Sequence, residues 1–99
     1  MPRSKQENAV TPSSGNVFVD LGFSHAEALV LTLRADVMIQ LQLRIKSRQM
    51  TQCEAAGLLG VSQSRVSDLM RGKSDKFSLD MLMLFAAKLG VPVRIELAA

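Results

Sequence analysis

The feature that most restricts how this 99-residue chain can fold is a spacing: Ala56, Gly60, Val66 and Leu69, at offsets of four, ten and thirteen. A small residue lets one helix cross closely over another. A glycine four residues later supplies the positive φ of a sharp turn at little steric cost. Two aliphatics three apart give the next helix a single inward stripe. Thr51 and Ser62 stand where N-caps belong, and Glu54, three residues after Thr51, completes a capping-box pattern. The stretch therefore reads as two short helices, Gln52–Leu59 and Gln63 to about Met70, joined by Gly60-Val61-Ser62 and closed by Gly72. Such a helix-turn-helix leaves Gln63, Ser64, Arg65, Ser67, Asp68 and Arg71 facing outward.

The flanks supply a scaffold for this unit. From His25 to Arg48 there is no Gly or Pro, and Leu29, Leu33, Val37, Leu41 and Ile45 recur every four residues. That predicts one long amphipathic helix, with Ser24 as N-cap and Glu27 completing a second capping box. Val30, Met38, Ile39 and Leu43 widen the apolar surface and predict a second buried face. Lys73–Phe77 reads as a charged connection. Ser78 caps a further helix, Leu79–Leu89, with Leu82, Phe85, Ala86 and Leu89 inward and Gly90 ending it. Val17-Phe18-Val19 is a short β-prone run, and Phe18, Leu21 and Phe23 are expected to cover one end of the core.

Val91 to Leu97 alternates apolar and polar residues with period two, the pattern of a strand with one covered face. A lone strand is unstable. Its partner is either the Val17–Val19 run or the same strand of a second copy, and the second reading, a homodimer through residues 93–97, is preferred. Residues 1–15, polar and aperiodic, read as a flexible arm; residues 16–99 form the single domain.

Only 4% of residues are aromatic while 47% are hydrophobic, so the core is made of Leu, Val, Ile, Met and Ala, which favours helix packed on helix. One cysteine, Cys53, allows no internal disulfide and no thiolate metal site. No apolar run approaches the roughly 18 residues of a membrane span, and Met1–Gly15 has no signal-like apolar core. A soluble, cytoplasmic protein is expected. The net charge is +3, and its distribution is uneven. Between Arg44 and Lys76 lie seven basic and three acidic residues, against five basic and six acidic elsewhere. The positive excess surrounds the helix-turn-helix, as contact with a polyanion would require.

Enzymatic patterns fail on spacing. Arg71-Gly72-Lys73-Ser74 resembles the end of a phosphate-binding loop, but Ser67 stands where its first glycine is needed. His25-Ala26-Glu27 matches half of a zinc-deaminase signature without the paired cysteines. No catalytic residue, cofactor or metal is expected, and His25 reads as a surface residue.

Thr-Gln-x-x-Ala-Ala-x-x-Leu-Gly-Val-Ser-Gln-Ser-x-Val-Ser at Thr51–Ser67 resembles the XRE, or Cro/phage-repressor-like, helix-turn-helix domains. Asn16-Val17-Phe18, Asp20-Leu21-Gly22-Phe23, Arg71-Gly72-Lys73, Phe77-Ser78-Leu79 and the terminal Val-Pro-Val-x-Ile extend the likeness to HigA-type antitoxins, over about residues 16–97. Gly57 departs from the pattern, where a better helix former is usual. The resemblance implies a mostly α, lambda-repressor-like bundle, with a short C-terminal β-strand. It also implies a DNA-binding repressor acting on double-stranded operator DNA and, as an antitoxin, on a RelE-like toxin. By matched position Gln52 touches phosphate and Gln63 enters the major groove, where Gln can read adenine. Ser64 and Arg65 make base or phosphate contacts with Ser67 beside them, while Arg48, Arg71 and Lys73 hold backbone phosphate. Asp68 is expected to pair with Arg65 or Arg71. The competing expectation is a protein–protein adaptor that keeps the fold without binding DNA.

Overall fold

The computed structural model of the chain describes residues 16–94, with side chains from residue 18 onward. Among them the order is α1 (Asn16–Asp20), α2 (His25–Ser47), α3 (Gln52–Leu59), α4 (Gln63–Met70), a 3₁₀ turn (Ser74–Lys76) and α5 (Leu79–Leu89). No helix among the described residues is long and apolar enough to cross a membrane.

Each of the four longer helices starts where its sequence provides an acceptor for the orphan N–H groups of a first turn. The Ser24 and Thr51 hydroxyls accept from the Glu27 and Glu54 amides at 3.1 and 3.0 Å. The two carboxylates return the bond, accepting from the Ser24 and Thr51 amides at 2.9 and 2.8 Å, so both capping boxes form. Ser62 and Ser78 cap α4 and α5 through the amides of Arg65 and Met81. Gly60 and Gly90 end α3 and α5 at φ of 72° and 70°, in the left-handed region.

Several carbonyls at the ends of elements are met by side chains from distant parts of the chain. Gln42 Nε2 donates to the Leu69 carbonyl at 2.9 Å, and Lys88 Nζ to the Leu59 carbonyl at 3.2 Å. Arg34 Nη1 donates to Phe77 O and Arg44 Nη1 to Leu89 O, at 3.2 and 3.3 Å. Those last two bonds tie the start of α5 to the middle of α2 and its end to the last turns of α2. The two helices therefore run side by side in the same direction.

The core lies between α2, α3, α4 and α5. Val37, Leu41 and Ile45 from α2 meet Ala55, Ala56 and Leu59, then Val66 and Leu69, then Leu82, Phe85, Ala86 and Leu89. Phe77, from the connection before α5, is also buried, edge-on to Phe85 with ring centroids 6.1 Å apart. The charged connection thus contributes an aromatic anchor, worth roughly 1.5–3 kcal/mol of apolar burial.

Three expectations are corrected. First, no C-terminal β-strand occurs among the described residues, which are helical with no sheet, and Val91–Arg94 is irregular. The Val91 amide donates to Ala86 O at 2.8 Å while the Gly90 amide donates to Ala87 O at 3.2 Å. This pair of bonds is a Schellman closure of α5, with the Val91 side chain buried in the core. Its amide is thereby taken from any ladder, and Pro92 has none to offer. Residues 95–97, the rest of the expected strand, lie outside the described residues, as does the arm of residues 1–15. Second, the Val17–Val19 run is helical, part of α1. Leu21 is 69% exposed and Phe23 41%, so neither closes the core; Phe18 and Phe23 pack edge-on to each other at 6.3 Å. Third, the second apolar face of α2 is uncovered. Met38 is buried, but Val30, Ile39 and Leu43 are about half exposed, as is Leu29 in good part.

Candidate nucleic-acid interface

The two motif helices lock together through the four residues whose spacing defines them. Ala56 is buried on α3, Val66 and Leu69 are fully buried on α4, and Gly60 turns the chain between them. The Gly60 and Val61 amides both donate to Ala56 O, at 2.9 and 3.1 Å, so the small residue also receives the turn's hydrogen bonds. With Val66 and Leu69 held inside, the register of α4 is set. Gln63, Ser64 and Arg71 are exposed on its outer side, and Ser67 and Asp68 are partly exposed. Ser62 Oγ and Ser64 Oγ lie 3.2 Å apart, fixing the Ser64 hydroxyl against the cap at the helix entrance. Gln52 is exposed at the first position of α3.

The cations divide into those that remain outward and those engaged by the fold. Arg71 is exposed just past α4. Lys73 lies 3.8 Å from the Asp68 carboxylate, and its amide donates to Asp68 O at 3.1 Å. Asp68 thus pairs with Lys73 rather than with Arg65 or Arg71. Arg48, exposed at the end of α2, stands with Arg44 near Gly90; their guanidinium nitrogens come within 3.6 and 3.7 Å of where a Cβ on Gly90 would lie. That location is the C-terminus of α5, whose partial negative charge suits cations.

Arg65 turns the other way. Its Nη1 donates to Lys76 O at 3.0 Å, its Nη2 lies 3.0 Å from Met81 Sδ, and its guanidinium carbon sits 4.2 Å from the centre of the Phe77 ring. The planar fork bridges α4 to the 3₁₀ turn and the start of α5, a geometry that Lys could not reproduce.

Gln42 carries a role that the sequence did not signal. Its bond to Leu69 O holds the last turn of α4 onto α2, and Gly72 beside it turns the chain at φ of 76°, where a Cβ would make only an ordinary 3.8 Å contact with Gln42 Nε2. Nothing local marks Gln42, since its partner is 27 residues away. Cys53 is exposed and free, and no cluster of metal-ligating side chains occurs among the described residues.

Two capped helices around a left-handed glycine, one buried stripe and one polar outer face define a helix-turn-helix. Residues 17–98 match the helix-turn-helix domain family, and the chain belongs to it. No curated protein matches the chain.

Proposed function

We propose that the chain is a sequence-specific DNA-binding regulator that inserts α4 into the major groove. The observation that carries this reading is the division of α4: Val66 and Leu69 are fully buried, while Ser64 and Arg71 are exposed on the opposite side and Gln63 is exposed at its first position. Family membership and the basic excess around Arg44–Lys76 support it. In this reading Gln63 reads a base edge, Ser64 and Ser67 flank it, and Gln52, Arg71, Lys73 and Arg48 meet backbone phosphates. Arg65, engaged with Lys76 O and Phe77, positions α4 instead of touching a base.

Repression follows if the bound site overlaps a promoter, and two copies would read two half-sites about 34 Å apart. The HigA-type resemblance extends the proposal to an antitoxin that also silences a RelE-like toxin. Coexpression with a toxin-like neighbouring gene tests that extension, relief of toxicity being the expected result.

DNA binding is tested by an electrophoretic shift on the chain's own promoter at stated salt, with two variants. Gln63→Ala should cost roughly 1–3 kcal/mol on the preferred site and relax selectivity at one position. Lys73→Ala should weaken all sequences alike and lower the salt slope by about one. Unaltered binding by both would show that α4 is not the docking face.

A further inference from the structure

α2 is longer than the bundle it supports. At 23 residues it spans about 34 Å, twice the roughly 16 Å of α5, so its first turns extend past the start of α5; Ala28, Thr32 and Leu33 are buried on one side of them, while Val30 on the other is about half exposed. On the uncovered side of these turns Ala26, Glu27, Val30, Leu31 and Arg34, with Phe23 just before the helix, line an open, largely apolar groove of about 380 Å³. Its two charges sit at opposite ends. Glu27 is exposed, with one carboxylate oxygen in the capping box. Arg34, two helical turns later, has Nη1 on Phe77 O, while its Nε is buried without a hydrogen-bond partner. Arg34 as a whole is only partly buried, so a carboxylate arriving from outside can pair with the accessible part of its guanidinium.

We infer that this groove is a two-fold interface with a second copy of the same chain, in which α2 packs antiparallel on α2. The argument is self-complementarity. An isologous contact must present the same patch twice, so every charge needs its opposite on that patch. Glu27 and Arg34 are seven residues apart on one helical face, with Val30 and Leu31 midway between them. A two-fold axis passing between Val30 and Leu31 sets the apolar pair against itself and brings each Glu27 to the other copy's Arg34. Both ion pairs then form together, and neither a parallel arrangement nor an apolar partner offers Arg34 that acceptor. No α4 residue lines the groove, so the interface offers the second half-site reader that the DNA-binding proposal assumes, and in that respect it rests on that proposal.

Sedimentation velocity across the micromolar range, on the full chain, tests it with four variants. The wild type should dimerise. Glu27→Arg and Arg34→Glu, each placing like charges across the axis, should weaken self-association at least tenfold, and the double reversal should recover most of the loss. Because Glu27→Arg also breaks a capping box, Val30→Arg serves as a second probe at the axis. It should give a monomer whose circular dichroism matches the wild type. A wild type that stays monomeric throughout overturns the inference and leaves the groove to a different protein. So does a dimer that none of the four variants disturbs. A dimer that yields to the variants yet shifts no DNA upholds the interface and refutes the DNA-binding proposal by itself.

Discussion

Under the DNA-binding proposal Arg65 holds α4 in place without reading a base, and its removal has a calculable cost. Arg65→Ala deletes a charged donor from Lys76 O at 3.0 Å, which is exposed enough to water to be worth about 1 kcal/mol, below the usual range for charged hydrogen bonds. It also removes the guanidinium 4.2 Å from the buried Phe77 ring, a cation–π contact of about 1 kcal/mol. Together the loss is about 2 kcal/mol. For a domain of this size that corresponds to a fall in melting temperature of roughly 8–16 °C. Arg65→Lys keeps the charge but not the fork and should recover less than half. Thermal unfolding by circular dichroism gives the first readout. The second is competition binding, at one temperature well below both transitions, against a preferred site and its single-base-pair variants. If Arg65 only positions α4, affinity falls by a similar factor on every site and the ranking of sites is unchanged. A variant that melts within roughly 3 °C of the wild type, while losing preference at one base pair, would refute the reasoning and make Arg65 a reader.

Further outcomes follow from the glycines and the caps. Gly57 lies inside α3 with nothing within 4 Å of where a Cβ would lie, so Gly57→Ala should stabilise the chain by about 0.5–1 kcal/mol in urea unfolding. Gly60→Ala should do the opposite, by about 1 kcal/mol or more, because φ of 72° strains any Cβ even though its nearest neighbour, Lys88 Nζ at 3.6 Å, is an ordinary contact. The Ser24 backbone amide, and then its hydroxyl, hold the Glu27 carboxyl below the usual carboxylate range. A lowered folded-state value means that Glu27's contribution is complete above the ordinary carboxylate pKa and is lost as pH falls through the lowered one. Side-chain NMR titration should place the Glu27 midpoint below that of a free glutamate, and Ser24→Ala should return it towards that value.

The caps, the left-handed glycines, the crossing residue Ala56 and the inward faces of α4 and α5 were legible in the sequence because each depends on neighbours within about four residues. A hydroxyl three residues before an amide, or aliphatics three apart, determines local structure whatever arrives later. Gln63 and Ser64 could be placed outward for the same reason: Val66 and Leu69 orient the helix that carries them.

Only the tertiary structure decided which apolar residues found partners. The period that buries Leu33, Val37, Leu41 and Ile45 also runs through Leu29, which is 40% exposed although its neighbour Ala28 is buried, because a four-residue step drifts about 40° round the helix at each repeat. Val91 alternates with its neighbours as a strand residue would. Yet its amide is taken by α5 and its side chain by the core, so no ladder begins there among the described residues. Arg65, 11 residues from Lys76, and Gln42, 27 from Leu69, have roles that only chain closure creates. The sequence alone determined a helix-turn-helix with a polar outer face, since its signals are local. Whether a given cation faces solvent, a ring or a helix end was settled by contacts that no local pattern encodes.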